Sequence, residues 1–284
     1  MNKLNQQLVS IVIPTHNRPD FLKKTIQSIV DQSYKNIEII IVSNGYNLAN
    51  KAVVTSFSDP RIIYIEQENS GGPASPRNHG IRLSKGELIA FCDDDDLWMP
   101  DKLIKQVSIL LQNKDHDVCY TKMLRFDETG QEWGVPHEGS TADLNSLLYI
   151  NTVPISSLII RKKLIDQIGC FCESNIVRFS EDYEFILKCA TVTKFVYIDD
   201  YLIKYWSGRN RTTLVDQEFT TLDHLSYLKG IFGCYYLQIT ANRIKLLKII
   251  LPIIYQVKVV LKIIVYMWYA NIKSFFTNQH PKTL

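Results

Sequence analysis

Four consecutive carboxylates, Asp93, Asp94, Asp95 and Asp96, stand in "FCDDDDLW", after the apolar run "GELIAF" and ahead of a Trp and a Pro. Like charges this close repel and raise one another's pKa, so the arrangement carries a standing electrostatic cost. Two readings are open. One is an acidic, fully solvated turn that marks a strand end. The other is a set of hard oxygen donors whose mutual repulsion a divalent cation turns into binding. A second pair of acids, Glu181 and Asp182, opens the run "SEDYEFILKCATV". At a helix N-terminus two acids also complement the helix dipole, an effect of a few tenths to about 1 kcal/mol.

The elements around these acids follow from hydrophobic spacing. "VSIVIP" (9–14) is a continuous β-branched run and reads as a buried parallel strand. "RPDFLKKTIQSIVDQ" follows as a helix, with Leu22, Ile26 and Ile29 at helical spacing and Pro19 near its start. "IEIIIV" (37–42), "RIIYIE" (61–66) and "GELIAF" (86–91) read as three more strands, and "PASPRNHGIRLSKG" as a loop entering a short helix. Strand–helix alternation predicts a parallel sheet with helices on both faces. Ligands of such sheets sit at the carboxyl ends of the strands. There the chain has "THN" (15–17), "SNG" (43–45) and the four aspartates. Beyond Pro100, the residues Leu103, Ile104, Val107, Leu110 and Leu111 make one apolar helix face. "DVCYTKMLRF" (117–126) is a predicted strand, followed by a polar loop with Trp133. "SSLIIRKKLIDQIG" (156–169) reads as a strand and a short helix, and "FVYIDDYLIKYW" (195–206) as strands.

Composition bounds the function. The 284 residues are 46% hydrophobic and 21% charged, a globular balance with length enough for a core. Net charge is +3, unevenly spread. Residues 224–284 hold eight Lys or Arg and no acid, whereas residues 1–223 hold 24 basic and 29 acidic side chains. An acidic body with a basic tail predicts two jobs, neither of them nucleic-acid binding. The polar start "MNKLNQQ" does not read as a secretory leader. Six cysteines without a CxxC pair or zinc spacing suit a reducing cytoplasm. "PTHNRPD" after the first strand lacks GxGxxG, and no Walker lysine loop is present. A phosphate ligand would therefore be held by other means, and a carboxylate-held Mg²⁺ or Mn²⁺ bridging a diphosphate is one such means.

The stretches "VSIVIPTHNRPDFLKKTIQSIVDQ", "IEIIIVSNG", "NSGGPASPRNHGI", "GELIAFCDDDDLWMPDKL" and "SEDYEFILK" resemble, in order and spacing, those of bacterial family 2 glycosyltransferases. The resemblance covers roughly residues 8–206. It implies an α/β GT-A fold, a Rossmann-like and mostly parallel sheet flanked by helices. It further implies a nucleotide-sugar-binding half at 1–100, an acceptor-binding half at 101–223, and inverting single displacement from a nucleoside-diphosphate sugar. By resemblance the DxD acids are Asp93, near the ribose, and Asp95, the metal ligand; Asp94 fills the variable middle and Asp96 a commonly acidic next position. Glu181 and Asp182 match the "ED" pair, which makes Asp182 the expected general base and places Glu181 on the acceptor side. Pro14, Thr15, Asn17 and Arg18 match the nucleotide loop after strand one, and Arg77 and Asn78 a motif beside the nucleotide. Gly71 and Gly72 suit close backbone approach, or an ordinary turn.

Two positions depart from the family. Ser43 and Asn44 stand where acids usually help to hold the base, although neutral groups also hydrogen-bond a nucleobase. A histidine often found after the last core strands is missing from "YWSGRNRTT", where Arg209 or Arg211 is a possible substitute. His16 and His79 read as local hydrogen-bonding groups. The tail (224–284) includes "NRIKLLKIILPIIYQVKVVLKIIVYMWYANIKSFF", too charged for a clean spanning helix. With Lys248, Lys258 and Lys262 on one face and a break at Pro252, it reads as an interfacial helix pair. Cover for the catalytic body or a dimer seam is the alternative. The expectation is a cytoplasmic-side enzyme at the inner face of the membrane. It would use Mn²⁺ or Mg²⁺ and a sugar donor, UDP-linked by resemblance, on a polysaccharide or lipid-linked oligosaccharide acceptor. A nucleotidyltransferase and a catalytically silent glycan- or lipid-binding protein are the rival expectations.

Overall fold

The computed structural model describes residues 6–134, 142–147, 151–174 and 180–208. Arg209, Arg211 and the basic tail at 224–284 lie outside the described residues. The chain opens with strand β1 (Val9–Thr15), helix α1 (Pro19–Val30), strand β2 (Ile37–Asn44), helix α2 (Leu48–Ser56), strand β3 (Ile62–Gln67), helix α3 (Ala74–Leu83) and strand β4 (Leu88–Phe91). Every residue of β1, β2 and β4 is buried, as expected of parallel strands covered on both faces. β1 pairs in parallel with β2 and with β4, and β2 in parallel with β3.

The acidic turn follows β4 and leads into β5 (Leu97–Trp98), α4 (Lys102–Gln112), β6 (His116–Phe126), β7 (Glu132–Gly134) and α5 (Leu144–Leu147). After a 3₁₀ turn at Ile155–Ser157 come β8 (Ile159–Arg161), α6 (Lys162–Ile168), α7 (Glu181–Ala190) and β9 (Lys194–Trp206). The sheet runs in the order β3-β2-β1-β4-β8-β6-β9-β5, with β7 beside β6. β8 pairs antiparallel with both β4 and β6, so strands from either side of Pro100 share one sheet. β6 and β9 are parallel, whereas β5 and β7 are antiparallel additions. The polar segment around Trp133 is therefore a short strand, and residues 195–206 belong to a single long one.

Two apolar layers cover the sheet. On β1, Val9, Ile11 and Ile13 face the cluster built with Leu22, Ile26 and Ile29 of α1 and Leu103 and Val107 of α4. Val12 faces the opposite cluster with Ile81 of α3 and Phe185, Ile186 and Cys189 of α7. The period of two along the strand thus chooses which helices each residue meets. α3 approaches β1 so closely that a Cβ on Gly80 would lie 2.4 Å from Val12 Cγ1. This packing fixes the start of α3, and hence Arg77, against the carboxyl end of the sheet. Among the described residues no helix is long and apolar enough to cross a membrane.

Candidate active site

Strands β1, β2 and β4 end side by side, and the acidic turn is clamped there from below. Thr25 Oγ of α1 donates a shared hydrogen bond to the carbonyl oxygens of Asp94 (2.9 Å) and Asp96 (2.8 Å). The Asp93 amide donates to Ser156 Oγ at 3.0 Å, and the Trp98 amide to Ser28 Oγ at 3.1 Å. With its backbone held, the turn gives its four carboxylates different partners.

Asp94 points inward and accepts from Thr15 Oγ at 2.7 Å and from the His16 amide at 3.3 Å. Burial, then the Asp95 charge, pushes its carboxyl up to about 7, with Arg18 opposing. Asp96 turns beneath the site and accepts the Trp206 amide at 2.9 Å. Burial and the charges of Asp95 and Asp93 hold it well above the ordinary carboxylate range. Asp95 faces the cavity, with Arg18 Nη1 at 2.5 Å from one of its oxygens. The same nitrogen lies 3.5 Å from Asp94. Asp93 receives Arg77 Nη2 at 2.6 Å, while Arg77 Nη1 donates to Glu181 at 2.6 Å. Arg77 is 3% exposed. Burial alone works against its charge, but Asp93, Glu181 and Asp182 together raise its pKa.

Arg77 thus joins the acidic turn to the N-terminus of α7. Asp182 follows Glu181 there, and one of its oxygens accepts the Tyr183 amide at 2.7 Å. Burial, then the neighbouring Glu181 charge, pushes the Asp182 carboxyl up to about 7, against the pull of Arg77. Glu181 is hydrogen-bonded to Arg77, and Asp182 is the acid of the pair whose carboxyl is held up.

A cavity of about 380 Å³ opens at this end of the sheet, lined by Pro14, Thr15, Arg18, Asn44, Arg77, Asp93, Asp94 and Asp95; Asp96, Glu181 and Asp182 are not among its lining residues. His16, Asn69, Gly71, Gly72, Pro73 and Pro76 complete its wall. Gly71 has φ +81°, a left-handed backbone that favours glycine and lets the loop turn over the cavity. Glu181 borders a smaller adjoining hollow of about 90 Å³ that shares Gly71, Gly72 and Pro73 with the first.

Asn17, Ser43 and Asn78 are not among the residues that line the larger cavity. Asn78 clamps the segment after α6, donating to the Phe171 carbonyl (2.9 Å) and Glu173 (2.7 Å) and accepting the Phe171 amide (2.9 Å). Ser43 donates to the Gly45 carbonyl at 2.7 Å. Asn17, at φ +53°, accepts from Asn47 Nδ2 at 2.6 Å, and Asn47 in turn caps α2 by accepting the Asn50 amide at 2.7 Å. Asn44 lines the cavity, yet its amide organises the neighbouring loop: it accepts from the Ser70 amide and hydroxyl and donates to Asn69 and Gly72. His16 was expected to bond locally and does so, with Nδ1 2.5 Å from the Asn44 carbonyl. Its place in the cavity wall had no signal beyond its position after β1.

Among the described residues no three His, Cys, Asp or Glu side chains converge as a ready-made metal cage. The donor chemistry nevertheless fits a hard cation. Asp95 offers carboxylate oxygens at the cavity edge with its side chain 18% exposed. Mg²⁺ and Mn²⁺ are commonly held by one or two carboxylates, waters and the phosphates of a ligand. Asp95 would be the ligand, with Asp93 at its side.

This architecture, a parallel β3-β2-β1-β4 core with acids at the carboxyl end of β4 and antiparallel strands beyond, is the GT-A fold of nucleotide-sugar enzymes. The solved structure of residues 1–349 of S. aureus TarS in complex with UDP superposes with a TM-score of 0.62 at 20% identity, covering 80% of this chain and 64% of that one. The complex of the same protein with UDP-GlcNAc gives the same TM-score and identity, covering 80% of this chain and 66% of that one. The glycosyl transferase family 2 profile matches residues 10–180, and the chain belongs to that family. An uncharacterized glycosyltransferase of Rickettsia typhi is 30% identical over 253 residues, 85% of this chain and 75% of the relative. Glycosyltransferase GlyG of Streptococcus pneumoniae is 30% identical over 219 residues, 70% of each.

Proposed function

We propose that the protein is an inverting glycosyltransferase that moves a sugar from a nucleoside-diphosphate sugar, a UDP-sugar in our reading, to an acceptor hydroxyl. The observation that carries the proposal is the joint placement of two unlike acidic groups on one arginine. Arg77 ties Asp93, on the wall of the large cavity, to Glu181 at the start of α7, where Asp182 stands near neutrality. Diphosphate chemistry needs cations and hard donors on one side, and acceptor activation needs a base on the other. UDP and UDP-GlcNAc in the two TarS complexes support the donor class.

In this reading Thr15, Arg18, Arg77 and the acidic turn surround the nucleotide and its diphosphate, with Pro14 and Asn44 at the wall. Asn17, Ser43 and Asn78 contribute by holding that wall. A divalent cation at Asp95, when bound, supplies charge neutralisation for the leaving diphosphate. Asp182 takes the proton of the acceptor hydroxyl as its oxygen attacks the anomeric carbon, the glycosidic bond to the diphosphate breaks, and the configuration inverts. Residues 1–100 serve the donor and 101–223 the acceptor. The basic tail at 224–284 brings the enzyme to the inner face of the membrane, where a lipid-linked oligosaccharide or growing polysaccharide is the acceptor.

Incubation with a panel of nucleotide sugars and Mn²⁺, followed by mass spectrometry, tests the donor class. Release of UDP from one or a few UDP-sugars is expected. Release from none of them, or transfer of the nucleotide rather than the sugar, contradicts the proposal.

A further inference from the structure

The carboxylate best placed to hold a cation already has one, and it is part of the protein. Arg18 Nη1 lies 2.5 Å from Asp95 and 3.5 Å from Asp94, and among the described residues the guanidinium makes no other hydrogen bond or ion pair. The arginine sits immediately before Pro19 at the entry to α1, so its backbone is fixed. Its side chain is 28% exposed at the cavity edge. Arg77 is the opposite case: 3% exposed and bonded on two sides to Asp93 and Glu181.

We propose that Arg18 is a displaceable stand-in cation, which neutralises Asp95 while the donor site is empty and moves to the diphosphate when a nucleotide and a divalent cation bind together. The inference rests on the donor reading above. A guanidinium and a divalent cation cannot share one carboxylate oxygen at contact distance without strong like-charge repulsion. One of them leaves. The guanidinium is the mobile one, and an incoming diphosphate is a planar-fork match for it that carries more charge than the carboxylate it gives up. The exchange makes metal and nucleotide help each other bind beyond their direct contact. It also keeps the acidic turn from binding metal unproductively when no donor is present.

The test is Mn²⁺ binding followed by electron paramagnetic resonance of the free ion, on the full-length protein without nucleotide. Arg18→Gln removes the competitor and is expected to tighten Mn²⁺ binding by roughly 5- to 150-fold, the usual range for coupled ligands. Adding Asp95→Asn to that variant should abolish the gain. Equal or weaker Mn²⁺ binding in Arg18→Gln overturns the proposal, as does a gain that survives Asp95→Asn. Asp95→Asn alone releases Arg18 from the other side, so its metal-free affinity for UDP, by calorimetry, should equal or exceed that of the wild type. A loss there contradicts the move to the diphosphate. Absence of UDP binding in every variant, with the Mn²⁺ gain intact, supports the competition at Asp95 and overturns the donor reading.

Discussion

Arg77 and Arg18 answer the same acidic turn in opposite ways. Arg77 is sealed between Asp93 and Glu181, its charge cancelled on both sides and its contacts reaching 104 residues along the chain. Arg18 rests against Asp95 and Asp94 at the entry to α1, with part of its surface in water. A buried, doubly bonded guanidinium is a structural tie, because removing it strands two carboxylates. A rim guanidinium is exchangeable, because water and ligands can take its place. The acidic turn is therefore tied at Asp93 by a buried arginine and at Asp95 by a partly exposed one, and the second contact is the one suited to exchange.

The comparison breaks first at Arg77. Arg77→Ala leaves Asp93 and Glu181 without their partner and is expected to destabilise the fold by about 3–5 kcal/mol, read as a fall in denaturant midpoint. A loss close to zero would mean that the buried tie is not structural.

The pH profile sharpens it next. Asp182 and Asp94 are each pushed up to about 7 in the folded protein, from an ordinary value of 3.8. The folded chain therefore holds protons that the unfolded chain has released, and these two groups make stability fall as pH rises between about 4 and 7. In the proposed mechanism activity runs the other way, since its base must be deprotonated. The kcat/KM profile should rise with an acid limb near 7, a value belonging to coupled groups rather than to one residue. Glu181→Gln removes the like charge beside Asp182 and frees Arg77 to favour its ionised form. The limb should then move down by on the order of one pH unit. An unmoved limb assigns it to Asp94 and its neighbours.

Arg18→Gln gives the smallest effect on stability. The pair is partly exposed, so the melting experiment should register less than about 1 kcal/mol. A loss as large as that of Arg77→Ala would erase the distinction between the two arginines.

Much of this was legible in the sequence because it is local. A continuous β-branched run marked β1, apolar runs marked β2 and β4, helical spacing marked α1 and α4, and the four aspartates fall where β4 ends. Contacts between distant segments were not legible. The Asn78 clamp on Phe171 spans 93 residues, and nothing in "SPRNHG" announces it. The pairing of Arg77 with Asp93 and Glu181, 16 and 104 residues away, is likewise set by the fold. Helix α2 escaped notice because it buries only Asn50 and Val54, too little for an apolar stripe, although Asn47 was a cap in plain view. The antiparallel direction of β8 is likewise a matter of topology, since so short a strand reads the same both ways.

The central claim is that acceptor activation at α7 is separate from donor binding at the acidic turn. The most direct measurement is turnover and donor affinity in Asp182→Asn, which keeps the shape of the side chain but does not accept a proton at neutral pH. The account predicts a loss of about 10²–10⁴-fold in kcat, with calorimetric affinity for UDP within a few-fold of wild type. Turnover within a few-fold of wild type, or UDP binding lost together with turnover, would contradict it.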